Sequence, residues 1–453
     1  MPVFQKFCIE HLLFPAMERL KGNHIRAKIA ELQSTEFAPD VMERQRQALA
    51  RLLRHCAAHV PAYRSLQLTE QEIRDDPYRV LAERVPALHK TDFRLNDQKY
   101  LADNIDPASR IANFTGGSTG EPVHFFMTRD QVESYEAARW RGLSWYGISP
   151  GSRSVMVWGN PVELSAHEEK KYWIREQLLK NRKMIPAYAL SDADTAKQVR
   201  LLQRYQPEYL YGFSSILVAF ARNIQQQRLS VHLPLKAVVS TSETLAPEQA
   251  ALLRDVFHCP IANEYGARDE GILAYSCPKG RLHITAENCV IEVLDPLTLQ
   301  PLPHGKSGLL AITDLRNFVQ PRLRYMVGDV GVLGTALCSC GRTLPVLETI
   351  EGREDALLIG RDGVLVHGDL VGHILRPLTW VRAFQFRQHS PIAATLFIVV
   401  MPGKELVKDD FFPTLQGIFP NTKITIQEVD HIEPAPSGKM RYSIREFNLP
   451  NTP

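Results

Sequence analysis

The chain has 453 residues, 44% of them hydrophobic and 23% charged, enough for two or three domains around a large core. Its 53 Lys and Arg nearly balance 50 Asp and Glu, leaving a net charge of +3 and excluding the basic profile of a dedicated nucleic-acid binder. No apolar run is long enough to span a bilayer, charges at Glu10 and Glu18 interrupt any secretory h-region, and seven scattered cysteines form no disulfide framework, so a cytoplasmic protein is expected.

Residues 1 to about 90 read as helical, with amphipathic stretches such as Val41 to His59. Leu12, Leu13, Phe14 and Met17 fit a helix packed on the domain better than one lying on a membrane. Then comes Phe114-Thr115-Gly116-Gly117-Ser118-Thr119-Gly120-Glu121-Pro122, three glycines and three hydroxyl side chains that form neither a stable helix nor a packed strand. Such a run can wrap a polyphosphate with backbone N–H groups, although alone it is more often a surface loop. It is not a Walker A loop, because Glu121-Pro122 stands where that motif needs Lys and Ser/Thr.

Beyond it the pattern predicts a helix from Arg129 to Trp145, a strand over Ser154–Trp158 and a helix from Ala193 to Tyr205. A strand near Tyr209–Gly212, a helix from Ser214 to Gln227, a strand over Leu235–Ser240 and a helix from Pro247 to Phe257 follow. Strands alternating with helices of this length indicate an α/β fold with mainly parallel pairing. From about 282 to 350 the units become shorter and β-rich. Hairpin strands at Ala356–Ile359 and Val364–Val366, a strand at Thr395–Val400, a helix at Asp409–Ile418 and a strand at Lys423–Val429 then read as a small α+β domain. The domains are therefore drawn at 1–352 and 353–453. Trp140, Trp145, Trp158 and Phe213 could line an aromatic pocket, with core packing the expected role for most of them.

Six loops stand in order: the glycine run, Ser240-Thr241-Ser242-Glu243-Thr244, Asn263-Glu264-Tyr265-Gly266-Ala267-Arg268-Asp269-Glu270-Gly271, Arg324 to Asp329, Glu351-Gly352-Arg353-Glu354-Asp355, and Pro436-Ser437-Gly438-Lys439. The series resembles the adenylate-forming ligases, and within them the phenylacetate–coenzyme A ligase-like branch that includes capsular polysaccharide-associated members. The resemblance runs from about residue 100 to the C-terminus. It implies a large adenylate-forming domain of doubly wound α/β subdomains plus a β-rich subdomain, followed by a small mobile α+β domain.

The same resemblance implies ATP and Mg²⁺ as cofactors and a small carboxylic acid as substrate. Thr115, Gly116, Gly117, Ser118, Thr119 and Gly120 would hold the β- and γ-phosphates. Glu121 stands where the family often has Lys. Glu243 would belong to the adenine-pocket loop, or simply start a helix after Ser242. Tyr265, followed by Gly266, would stack on adenine, and Asp269 or its neighbour Glu270 would help hold Mg²⁺. Asp329 would bind the ribose hydroxyls, Arg353 would lie near the ribose, Asp355 would be the pivot of the small domain, and Lys439 would be the catalytic lysine.

Cys277, His283, Cys338 and Cys340 offer four ligands of the kind Zn²⁺ takes tetrahedrally, with Gly341 easing the turn after Cys338-Ser339-Cys340. Four protein ligands would make such a zinc structural. The acyl acceptor implied by the resemblance is coenzyme A. Gly360 to Gly368 departs from the Arg-Gly-x-Asn-Val-Phe-Pro-like segment of phenylacetate ligases, which leaves an amine or hydroxyl acceptor open. A non-catalytic adenylate-binding scaffold is the reading of another class, and retention of Asp329 and Lys439 speaks against it. A homodimer is compatible with the sequence.

Overall fold

The computed structural model describes residues 2–114, 123–158, 174–186, 194–433 and 440–447. The N-terminal stretch is helical, as its periodicity predicts. In the helix Val41–His59, Leu49, Leu52, Leu53 and Cys56 fall on one face and are fully buried. They pack on Tyr63, Val80 and Leu81, on Val290 of the sheet beyond, and on Leu315 and Leu323 of a loop next to it. Each such apolar side chain contributes about 1.5–3 kcal/mol through burial.

Among the described residues, thirteen strands follow before residue 354: β1 (Ile111–Phe114), β2 (His124–Met127), β3 (Ser154–Trp158), β4 (Arg182–Pro186), β5 (Tyr209–Phe213), β6 (Ala237–Thr241), β7 (Ile261–Ala267), β8 (Gly271–Ser276), β9 (Leu282–Ile284), β10 (Cys289–Leu294), β11 (Ser307–Asp314), β12 (Tyr325–Leu333) and β13 (Val346–Arg353). β1 and β2 pair as an antiparallel hairpin whose connection is the glycine run. The other eleven form one sheet, in the order β10-β11-β12-β13-β9-β8-β7-β6-β5-β3-β4. Pairing is parallel from β4 to β7 and antiparallel from β7 to β10, so the expected parallel character holds for one half of the sheet only. The β-rich stretch continues the α/β sheet instead of forming a sheet of its own.

Local chemistry explains the elements. β6 is buried at every position, as a central parallel strand covered on both faces should be. The helix Arg129–Ser144 opens on a capping box, Thr128 with Gln131, and the helix Pro247–Phe257 has proline in its first turn. Trp145 packs edge-on to Tyr275 and His283, and Phe213 is buried, so both serve the core; the side chain of Trp158 lies outside the described residues.

After Arg353 the chain forms the antiparallel pair β14 (Leu357–Ile359) and β15 (Leu365–His367), the helix Asp369–Leu375, and a sheet ordered β18 (Lys423–Glu428), β17 (Ala393–Val400), β16 (Val381–Ser390), β19 (Ser443–Arg445). Leu358, Phe384, Phe386, Leu396, Phe411 and Phe419 form a separate core there.

Candidate active site

The carboxyl ends of the parallel strands β5, β6 and β7 point the same way, the position where open α/β sheets bind ligands. β12 and β13 bring their residues to this region through the antiparallel half of the sheet. Asp329 and Arg353 are register partners across β12 and β13. Arg353 Nη1 donates to Asp329 Oδ1 at 2.8 Å and to the Val327 carbonyl at 2.9 Å. Gly328, at φ 78°, permits this reach, because a Cβ there would lie 2.7 Å from Arg353 Nη2. Tyr265, on β7, donates its hydroxyl to Asp329 Oδ2 at 2.9 Å. Burial, and then the Asp329 charge, pushes that hydroxyl well above its ordinary range, so it stays a donor. A carboxylate has about four acceptor sites, and these bonds occupy two.

Three residues that the sequence separates by up to 88 positions thus share one carboxylate. Gly266 lies next along β7. The side chain of Asp355 lies outside the described residues; its backbone is in a short 3-10 turn, Glu354–Ala356.

The turn between β7 and β8 carries Asp269 and Glu270, both buried. Arg322 Nε donates to Glu270 Oε1 at 2.7 Å, and its Nη2 donates to the Asp269 carbonyl at 2.6 Å. That pair is sealed from solvent, with the guanidinium lying over the rings of Phe93, Phe125 and Tyr325. Burial raises the Glu270 carboxyl well above its usual range, a shift that Arg322 offsets only in part. Asp269 Oδ2 is buried with no hydrogen-bond partner among the described residues. A hard, unpartnered oxygen of this kind is what a divalent cation takes, so the residues fit Mg²⁺ through Asp269, with Glu270 tied to Arg322 behind it.

Glu243 follows β6 after Ser242, a non-glycine residue at φ 69°. It does not start the helix at Pro247. Its carboxylate instead meets the first turn of the helix Ser214–Gln226, accepting from Ser215 N at 2.7 Å and Ser215 Oγ at 3.0 Å. It also accepts from the Met440 amide at 3.2 Å. Thr115, Gly116, Gly117, Ser118, Thr119, Gly120 and Glu121 lie outside the described residues, and so does Lys439; Phe114, Val123 and Met440 are the described neighbours.

Arg322, Arg268, Ser215 and Glu264 are participants that sequence reading missed. The Arg268 guanidinium sits 4.8 Å from the ring centre of Phe114, at the start of the glycine run. Glu264 is buried in the middle of β7 and accepts from Tyr211 at 2.6 Å, Arg139 Nε at 3.2 Å and Thr241 Oγ1 at 3.2 Å. All four depend on residues brought together from far along the chain, so none had a local signal in the sequence.

The four predicted metal ligands converge. Their ligand atoms lie within 4.8 Å of one another. Cys277 Sγ is 3.7 Å from Cys338 Sγ, and Cys340 Sγ is 3.3 Å from His283 Nε2. Two thiolates bound tetrahedrally at Zn–S distances of about 2.3 Å would stand about 3.8 Å apart. His283 Nδ1 lies 3.3 Å from the Leu344 carbonyl, to which it donates, leaving Nε2 free to ligate. Burial lowers His283 to about 4, keeping the imidazole neutral. Gly341, at φ 84°, closes the turn by donating its amide to the Cys338 carbonyl. The donor set fits a closed structural zinc.

No protein-family model matches the chain. It is similar to protein CapK of Staphylococcus aureus, 23% identical over 368 residues that cover 80% of each chain. It is also similar to a phenylacetate–coenzyme A ligase of Thermus thermophilus, 29% identical over 344 residues, 73% of this chain and 74% of that one. Among solved structures, 2-hydroxyisobutyryl-CoA ligase in the postadenylation state with R3-HIB-AMP matches with a TM-score of 0.71 at 18% identity, over 91% of both chains. The same ligase in the thioesterification state, with 2-HIB-AMP and CoA, gives 0.56 over 91% of both. At this identity the structural likeness concerns the fold.

Proposed function

We propose that this chain, a member of the phenylacetate–coenzyme A ligase-like branch of the adenylate-forming ligases, activates a carboxylic acid with ATP and passes the acyl group to coenzyme A. A carboxylate oxygen attacks the α-phosphorus of ATP, pyrophosphate leaves, and an acyl-adenylate remains. The acceptor thiol then attacks the acyl carbon, its proton is lost, and AMP leaves. The observation that carries this reading is the Asp329 carboxylate, fixed by Tyr265 and Arg353 with two acceptor sites left, as recognition of a pair of ribose hydroxyls requires.

Around it the roles follow from chemistry. Thr115 to Gly120 cradle the β- and γ-phosphates, with fixed donors that stabilise charge on the leaving pyrophosphate. Asp269 holds Mg²⁺, which neutralises phosphate charge when bound. Lys439 brings an ammonium to the attacking carboxylate and the α-phosphate. Holding both reactants in line supplies much of the rate. The chain turns at Arg353–Asp355, where the large sheet ends and the small unit begins. Cys277, His283, Cys338 and Cys340 bind one structural Zn²⁺.

One observation favours a second acceptor class. Gly360 to Gly368 spans the tight β14–β15 connection, with Asp362 at φ 55°, and β15 itself, and its sequence departs from that of phenylacetate ligases. An amine or hydroxyl acceptor is the alternative this segment supports. The test is ATP–pyrophosphate exchange across aryl, fatty and amino acids, followed by product analysis with and without coenzyme A. Lys439→Ala should suppress exchange severely with the preferred acid; near-normal exchange removes Lys439 from this role, and no exchange with any acid removes the ligase reading.

A further inference from the structure

Glu264 brings a buried charge to the strand that also carries Tyr265. Successive side chains of a strand face opposite sides of its sheet, so Glu264 turns away from Asp329 and toward the helix Arg129–Ser144. Its Oε1 accepts from the Tyr211 hydroxyl and from Thr241 Oγ1, and its Oε2 accepts from Arg139 Nε. Arg139 Nη1 donates to Glu136 at 2.9 Å, while its Nη2 has no partner among the described residues. The Glu264 side chain is 2% exposed and that of Arg139 is 33% exposed, so the cluster is sealed at its base and open at its rim. Tyr275, the register partner of Glu264 on β8, stands on the same face, and its buried hydroxyl has no partner among the described residues either. We infer that this cluster selects the carboxylic acid to be activated, by hydrogen-bonding a hydroxyl group that the acid carries away from its carboxyl group. The inference rests on the ligase reading above and gives that reading a substrate class.

The unused bonding positions decide the class. A carboxylate has about four acceptor sites, and Glu264 has three of them taken, which leaves one on Oε2 beside the Arg139 guanidinium. Burial first, and then the Glu264 charge, raises the Tyr211 hydroxyl well above its ordinary range, so Tyr211 stays a donor and that count holds. A hydroxyl group donates and accepts at once, so it can donate to Glu264 Oε2 and accept from Arg139 Nη2. An ammonium could only donate, and would leave Nη2 unanswered. A second carboxylate could only accept, and would stand against Glu264 and Glu136, two carboxylates that share one guanidinium. An apolar tail would cover the cluster and leave its polar groups unpaired, at a cost of about 1–3 kcal/mol for each. The position suits this role. Glu264 directly precedes Tyr265, whose hydroxyl is on Asp329, and Thr241, its register partner, ends β6 two residues before Glu243. The cluster therefore borders the proposed nucleotide site without touching the ribose carboxylate.

The experiment measures ATP–pyrophosphate exchange with acids that differ only by a hydroxyl group: benzoic acid against its 3- and 4-hydroxy forms, and hexanoic against 6-hydroxyhexanoic acid. In at least one series the hydroxylated acid should be used about ten- to hundredfold better in kcat/KM, as one or two hydrogen bonds to charged groups predict. The double variant Glu264→Leu with Arg139→Met removes both partners together and strands neither charge. It should bring the ratio between the paired acids to about one and use the unsubstituted acid at least as well as the unaltered protein does. If the double variant does not fold, Arg139→Lys is read in its place; it keeps the charge but loses the Nη2 donor, and should lower the ratio about threefold or more. A merely structural cluster would slow both members of a pair alike and leave the ratio where it was. Equal use of paired acids in both series, a preference for an ammonium or a second carboxylate at the same position, or a ratio that the variants do not move would overturn the inference and leave the ligase reading standing. No exchange with any acid would remove the ligase reading, and this inference with it.

Discussion

Two adjacent carboxylates, Asp269 and Glu270, take opposite roles because of one buried guanidinium. Arg322 neutralises Glu270 in a pocket closed to water and leaves Asp269 with an unpartnered oxygen. Removing one member of such a pair strands the other charge. Arg322→Met should therefore cost about 3–5 kcal/mol of stability, read as a lower urea midpoint with an unchanged slope. The sequence could not divide the two acids, because their discriminating partner lies 52 residues away and is met only in the fold. Arg268 is a parallel case at the surface. Its guanidinium stands beside Phe114, at the start of the glycine run, and on the proposed reading adds positive charge on the phosphate side. Arg268→Ala should raise the KM for ATP about tenfold in exchange assays, as loss of a contact to a charged group predicts. The urea midpoint should barely move.

At the scale of elements, what was legible had strong local signals. Proline and a 3.6-residue period announced the helix Pro247–Phe257, and a β-branched apolar run announced β3. β16 went unread although Phe384, Phe386 and Gln388 alternate on its buried face, because a buried Gln and flanking Arg residues hide the apolar pattern. β1 and β2 were overshadowed by the glycine run between them. The cysteine and histidine positions were legible as ligand types, but their convergence required β8, β9 and β13 to lie side by side. Cys338→Ser should abolish bound zinc in elemental analysis of protein purified without chelator and lower the melting temperature.

The N-terminal helix has its own pH signature. Lys6 and Lys236 each lie 2.8 Å from Glu208 Oε2. Burial would raise the Glu208 carboxyl, but the two ammonium groups outweigh it and hold the group at about 2, against an ordinary 4.5. The folded state therefore binds fewer protons than the unfolded one between these values. The stabilisation is complete above the ordinary carboxylate range and is lost as pH falls toward 2. Protection of the first helix against hydrogen exchange, taken relative to the intrinsic rate at each pH, should fall over that window, and Glu208→Gln should remove that loss.

At the scale of the whole molecule, the proposed reading asks one nucleotide pocket to serve two successive reactions, with Lys439 proposed to act in the first. β12 and β13 hold Asp329 and Arg353 in register, and Asp269 sits in the turn that joins β7 to β8. The proposed reading predicts a particular time course. With ATP and a preferred acid but no acceptor, pyrophosphate should appear in a burst of about one equivalent per chain, because the adenylate stays bound and blocks the next ATP. Slow hydrolysis should follow. Adding coenzyme A should restart turnover at a steady rate and yield a thioester and AMP in equal amounts. If an amine or a hydroxyl compound restarts turnover where coenzyme A does not, the Gly360–Gly368 segment has marked a different acceptor, and the adenylation half of the mechanism stands unchanged. A burst without restart by any acceptor would leave the adenylation half of the proposal standing and remove the acyl-transfer half.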